Sequence, residues 1–144
     1  MTTIATNRKT MVSDSKVNVE TKTEDRQYSA TKIFECNGEL IGCAGDNKYI
    51  ELFTKWYGSK KKKPVFPNDI DFEALILRKD GSIVYYDDAL ACDVIKQDFF
   101  AIGSGGNAAR AAMIMGANPQ EAVAIACQVD PHSAPPFQVL ELKE

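Results

Sequence analysis

The chain has 144 residues, 44% of them hydrophobic, and a formal net charge of −3. That length suits one domain spanning residues 1–144, with apolar content close to the globular average and sufficient for a real core. The slight acidic excess excludes a general nucleic-acid or membrane binder, and no uncharged apolar run approaches the roughly 18 residues of a spanning helix.

In chain order, 3–6 and 10–13 are short β-prone runs around the polar Asn7-Arg8-Lys9, which reads as a hairpin. Those same polar residues break the apolar start that a signal peptide needs. Residues 18–30 are polar and poorly patterned and read as a mobile or edge segment. The clearest hairpin joins 32–36 to 39–43 through Asn37-Gly38, a pair suited to a tight primed turn. From about Asn47 to Tyr57, Tyr49, Ile50, Phe53, Trp56 and Tyr57 recur at helical spacing as one apolar stripe, and Gly58 ends it. Lys60 to Lys63 is a basic run read as a solvated loop. Residues 72–77, the turn Asp80-Gly81 and residues 83–86 make a further hairpin.

Residues 99–102 read as a short buried strand entering the turn Gly103-Ser104-Gly105-Gly106. A small-residue helix over 108–115 is stopped by Gly116. Another helix opens with Asn118 as cap, Pro119 at its first position and Glu121 at the reciprocal capping place. Residues 137–142 close the chain as a strand. Strands in antiparallel pairs with helices in separate blocks predict an α+β fold of two sheets packed face to face, helices outside.

Several features carry chemistry. Thr2 follows the initiator methionine and is small enough for routine removal of Met1, which leaves a hydroxyl and a free α-amine on one residue. That pairing of nucleophile and base activates a hydroxyl otherwise too weak to attack an amide. Asp14 at the end of an apolar strand and Lys32 at the start of another are, taken singly, ordinary surface charges. Asp130-Pro131-His132-Ser133 is, by itself, a helix-terminating turn. His132 is the one histidine, so a His-based zinc site lacks ligands. It also has no partner nucleophile marked by its context. Cys36, Cys43, Cys92 and Cys127 are widely spaced and read as reduced, mostly buried thiols of a cytoplasmic protein rather than disulfides or nucleophiles. Gly103 to Ala108 also fits a loose G-x-G-x-x-A dinucleotide pattern. That reading weakens because a second capped helix follows where a Rossmann unit needs a strand.

Met1-Thr2-Thr3-Ile4, Ser13-Asp14-Ser15, Thr31-Lys32-Ile33, Gly42-Cys43-Ala44-Gly45, Gly103-Ser104-Gly105-Gly106 and Asp130-Pro131-His132-Ser133 lie in one order. Together they resemble the N-terminal-threonine peptidases of the proteasome β-subunit and HslV type, over nearly the whole chain. The resemblance implies a four-layer αββα sandwich of the N-terminal-nucleophile (Ntn) type. One helical layer is trimmed, because Lys60 to Pro64 leads almost straight into the next strand. It implies Thr2 as nucleophile, Asp14 supporting Lys32, and Ser104, Asp130 and Ser133 holding the terminal threonine and its amine. Gly45 would donate its amide to the oxyanion, and Val17 and Cys43 would line the pocket for a small or apolar substrate side chain. The implied activity is cleavage of peptides or unfolded protein without a cofactor, in a homo-oligomeric ring served by an ATP-dependent unfoldase. The stripe of Tyr49, Phe53, Trp56 and Tyr57 is a candidate subunit-contact surface in this reading, although core packing explains much of it. A small-molecule amidase of the same fold and a non-catalytic assembly protein are the alternatives.

Overall fold

Among the described residues, eleven strands and three helices order the chain, as β1 (Thr3–Asn7), β2 (Thr10–Ser13), β3 (Lys16–Glu20), β4 (Asp25–Ser29), β5 (Ile33–Cys36), β6 (Glu39–Gly45), α1 (Asn47–Trp56), β7 (Phe72–Leu77), β8 (Ile83–Tyr86), β9 (Cys92–Ile95), β10 (Phe99–Gly103), α2 (Gly106–Ile114), α3 (Pro119–Val129) and β11 (Gln138–Glu141). The computed structural model describes residues 2–20 and 25–143, with the backbone alone described at 18–20 and 25–28.

Two antiparallel sheets form the centre, one ordered β10-β1-β2-β11 and the other β5-β6-β7-β8-β9. Three apolar clusters mark three interfaces between four layers. Ile4, Met11, Leu40, Leu75, Leu77 and Ile102 fill the space between the sheets. Ala5, Val12, Ala101, Ala109, Val123 and Ala126 join the four-stranded sheet to α2 and α3. Phe53 of α1 packs with Ile41, Phe72, Ala74, Ile76 and Tyr86 on the outer face of the five-stranded sheet. Neighbouring residues such as Ile4 and Ala5, or Leu75 and Ile76, therefore serve opposite faces of one strand, because both faces are covered. The result is an α+β sandwich of αββα layering, with α1 the one described helix on its side.

The β5–β6 hairpin turns through Asn37 at φ 53 and Gly38 at φ 81, the pair of positive angles a primed turn requires. At α3 the Asn118 side chain accepts from the Glu121 amide while the Glu121 side chain accepts from the Asn118 amide. Both features follow the sequence reading.

Three expectations need correction. Residues 18–30 are not unpatterned throughout: β3 and β4 pair in register from Lys16↔Ser29 to Glu20↔Asp25 as a small separate sheet, and residues 21–24 lie outside the described residues. The stripe on α1 packs largely into the core, as expected for much of it, which leaves less of it for a subunit contact. Phe53 is fully buried, and Tyr49, Trp56 and Tyr57 pack against the same cluster. Of the four free thiols only Cys43 is buried, and Cys92 is exposed on the edge strand β9, which the sequence reading did not foresee. Among the described residues no helix is long and apolar enough to cross a membrane.

Candidate active site

Thr2 sits at the entrance to β1 and is only 7% exposed. β1 lies between β10 and β2, with Thr3 opposite Gly103 and Ile4 opposite Ser13. The pairing carries the chain start into the middle of the four-stranded sheet. The turn after β10 then closes on Thr2: its carbonyl accepts from the Gly105 amide at 3.5 Å and from the Ser104 hydroxyl at 3.4 Å. Gly103 has φ +91, and a Cβ there would collide with the Thr2 carbonyl, so this turn needs glycine on both counts.

Asp14 follows β2 and is completely buried. Its Oδ1 accepts from the Thr3 amide at 3.0 Å and from Lys32 Nζ at 2.9 Å. Its Oδ2 accepts from the Lys16 and Ala134 amides, each at 3.2 Å. Lys32 Nζ also donates to the Lys16 carbonyl at 2.5 Å. The lysine side chain is 7% exposed, so the ion pair is largely out of water. Burial pushes the Lys32 pKa below its ordinary 10.5, while the hydrogen bond and charge of Asp14 pull it back up. Gln138 on β11 holds the surrounding backbone. Its Oε1 accepts from the Lys32 amide at 2.8 Å and the Ser13 hydroxyl at 3.0 Å, and its Nε2 donates to the Ala30 carbonyl at 2.8 Å.

Asp130 caps the end of α3. Its Oδ2 accepts from the Ser104 hydroxyl at 2.5 Å and the Ser133 hydroxyl at 2.7 Å, and its Oδ1 accepts from the His132 amide at 3.1 Å. Burial opposes the charge on Asp130, yet these three donors hold its pKa below the ordinary carboxylate value. Ser133 Oγ lies 2.7 Å from Thr3 Oγ1, so its contact with the chain start runs through the Thr3 hydroxyl. His132 enters this network through its backbone amide and is exposed.

Thr2, Val17, Lys32, Cys43 and Gly45 line one cavity of about 340 Å³, completed by Ala30, Thr31, Phe34, Asp46, Asn47 and Ile50. Burial pushes the Cys43 thiol up to about 12, so it remains protonated at neutral pH and is a wall rather than a nucleophile. A cavity of similar size, about 350 Å³, lies at the far end of β1 among Arg8, Lys9, Thr10, Lys79, Asp80, Glu141 and Lys143, and none of the nine residues singled out in the sequence lines it. All nine residues singled out in the sequence are thus placed: five on the cavity wall, Asp14 behind Lys32, Ser104 at the Thr2 carbonyl, Ser133 at the Thr3 hydroxyl, and Asp130 joining those two serines. Sequence reasoning missed Thr3, Gln138, Phe34 and Ile50. Their one-letter signals are those of any strand or helix residue. Among the described residues, no group of three or more His, Cys, Asp or Glu side chains is gathered to hold a metal ion.

No protein-family model matches the sequence, and no similar curated protein is found by sequence comparison. Solved structures do match. BPH from Thiobacillus denitrificans aligns with a TM-score of 0.67 at 14% identity, covering 99% of this chain and 98% of that one. The same protein in complex with epoxomicin gives 0.68 at 16%, and eukaryotic HslV from Trypanosoma brucei gives 0.67 at 20%, each covering 99% of both chains. The fold is the Ntn-type sandwich. At these identities the likeness carries the fold and not the chemistry. In the Ntn-type sandwich the glycine turn joins β10 to α2, and α3 follows α2 directly. The dinucleotide reading of Gly103 to Ala108, which requires a βαβ unit, therefore falls away.

Proposed function

We propose that this chain is a threonine-type endopeptidase in which Thr2, freed by removal of Met1, is the nucleophile. The observation that carries the reading is the buried Lys32–Asp14 ion pair at the wall of the cavity that Thr2 lines. A largely desolvated ammonium is costly to maintain. Its presence on the wall of the same cavity as Thr2 supports an electrostatic role. The Lys32 charge favours loss of the hydroxyl proton, which passes to the Thr2 α-amine, a group with an ordinary pKa of ~7.7–8.0. The Thr2 oxygen attacks the peptide carbonyl carbon, and the Gly45 amide receives the oxyanion, a contribution of ~2.7–4 kcal/mol per donor. Collapse breaks the C–N bond, the leaving amine takes the proton, and water hydrolyses the ester left on Thr2. Ser104, Asp130 and Ser133 fix the Thr2–Thr3 backbone during these steps.

Beside the charged Lys32 and Asp46, the cavity has the uncharged side chains of Val17, Phe34, Cys43 and Ile50, and this stretch of wall supports a small or apolar residue on the acyl side of the cut. A homo-oligomeric ring, an ATP-dependent unfoldase as partner and a cytoplasmic location complete the proposal. Their support is the fold shared with HslV.

The test compares Thr2→Ala with the unaltered chain on a panel of fluorogenic peptides, with intact mass spectrometry of the N-terminus. Expected are loss of Met1, loss of turnover in Thr2→Ala with native circular dichroism, and inhibition of the unaltered chain by epoxomicin, the compound bound by the Thiobacillus denitrificans protein. Full peptidase turnover in Thr2→Ala ends the proposal. Cleavage of small amides alone by a monomer points to an amidase.

A further inference from the structure

One carboxylate outside the network above sits where an apolar residue is the rule. On β7, Phe72, Ala74 and Ile76 serve the α1 side, and Leu75 and Leu77 serve the layer between the sheets. Strand alternation places Glu73 on the face of Leu75 and Leu77. It is half-buried at the end of that layer nearest Thr2. Its two oxygens have separate partners: Oε1 accepts from the Tyr85 hydroxyl at 2.9 Å, and Oε2 accepts from the Gly103 amide at 3.1 Å. The Tyr85 ring in turn stands edge-on to Phe100 of β10 at 5.6 Å. Glu73 thus reaches from the five-stranded sheet to the backbone of the four-stranded one.

The residue it holds matters. Gly103 begins the turn whose backbone touches the Thr2 carbonyl, and the next two residues supply both hydrogen bonds to that carbonyl. Ser104 also spans to Asp130. A half-buried carboxylate forfeits part of its solvation, and its two hydrogen bonds to Tyr85 and Gly103 offset some of that cost. A leucine would pack there without it. We infer that Glu73 is a positioning residue of the Thr2 site, fixing the Gly103–Gly105 turn through the Gly103 amide and so setting where the Thr2 carbonyl and the Ser104 hydroxyl lie. The inference rests on the Thr2 reading only for its effect on rate, since the anchoring of the turn is a separate, measurable claim.

The experiment uses Glu73→Leu, Glu73→Ala and Glu73→Gln in the full chain, with two readouts. The first is amide hydrogen exchange at Gly103, which does not depend on catalysis. Glu73→Leu and Glu73→Ala should speed it about tenfold or more while leaving α3 amides unchanged, because the donor loses its acceptor. The second is the division between kcat and KM on a peptide substrate. Misplacement of a reacting group by a fraction of an ångström to an ångström costs up to ~100-fold in rate. kcat should therefore fall about 10- to 100-fold in both variants with KM within about twofold. Glu73→Gln keeps a carbonyl acceptor for Gly103 and an amide for the Tyr85 oxygen, so it should restore kcat to within about threefold. Unchanged Gly103 exchange, or an unchanged kcat in a folded Leu or Ala variant, overturns the inference. So does failure of both to fold, which would make Glu73 a folding residue. Accelerated exchange alongside full activity of Thr2→Ala would instead spare the anchoring and fault the Thr2 assignment.

Discussion

Lys32 is held between two opposing influences: burial that favours a neutral amine, and Asp14, which favours the ammonium. Under the proposed mechanism the charged form is the working one. kcat/KM should rise as the Thr2 amine sheds its proton near ~7.7–8.0 and fall again as Lys32 deprotonates at a pH below 10.5. Lys32→Ala should abolish turnover. Lys32→Arg should be severely impaired, because a broad planar guanidinium does not replace a compact ammonium between Asp14 and the Lys16 carbonyl. Any rate it retains should lack the alkaline fall, since the guanidinium keeps its charge. A pH–rate profile from 6 to ~11 decides this, and near-normal rates in both variants would reduce Lys32 to a structural lysine. Asp130 has the opposite sign. Its folded pKa is depressed below the ordinary 3.8, so it contributes stability that is complete above that value and lost as pH falls through the depressed one. Melting temperature should accordingly drop in acid less steeply for Asp130→Asn than for the unaltered chain.

Local chemistry made some elements legible and left others hidden. The capping box of α3 is written in four consecutive residues, Asn118 to Glu121, and its geometry is the one expected. Asn118→Ala should cost ~1 kcal/mol in urea unfolding, because it strands the Glu121 amide. The turn at Asn37-Gly38 is equally self-contained. β9 was not legible, because Cys92, Asp93 and Val94 are exposed at an edge and show no buried alternation. β3 and β4 escaped for a related reason: they pair with each other in a two-stranded sheet, and their sequence is polar. At the site, the residues that announce themselves carry charge or sit in glycine turns. Gln138 does not, since a polar residue in a closing strand is ordinary until its three hydrogen bonds to Ser13, Ala30 and Lys32 are seen. Glu73 was hidden by the same limit, a long-range partner that no local pattern encodes. Gly103→Ala tests the turn directly. The positive φ and the Thr2 carbonyl both oppose a side chain, so a loss of at least ~1–3 kcal/mol should accompany loss of activity.

Across the whole molecule, apolar surface remains on the outer helices. Ile114, Met115 and Val129 are 71%, 87% and 68% exposed, with Ile125 beside them at 42%. With Phe53 buried and the rest of the α1 stripe partly buried, this more exposed face is the better surface for the proposed ring. Sedimentation should find an assembly at micromolar concentration that Met115→Glu combined with Val129→Glu weakens, and a strict monomer would contradict it. The topology also has a bearing on maturation. The β1–β2 hairpin forms early in the sequence, yet its two outer neighbours are β10 and β11. Asp14 waits for the Ala134 amide, Thr3 for the Ser133 hydroxyl, and Lys32 for Gln138. Contacts that span more than a hundred residues form late, after the cost of closing large loops has been met. A growing chain therefore has no assembled site, and under the proposed mechanism it gains activity only once these contacts close. For the same interval Thr2 is not yet buried, so the proposed removal of Met1 would have a window that closes when β10 and β11 dock. A methionine aminopeptidase should accordingly trim the urea-unfolded chain much faster than folded protein that still carries Met1.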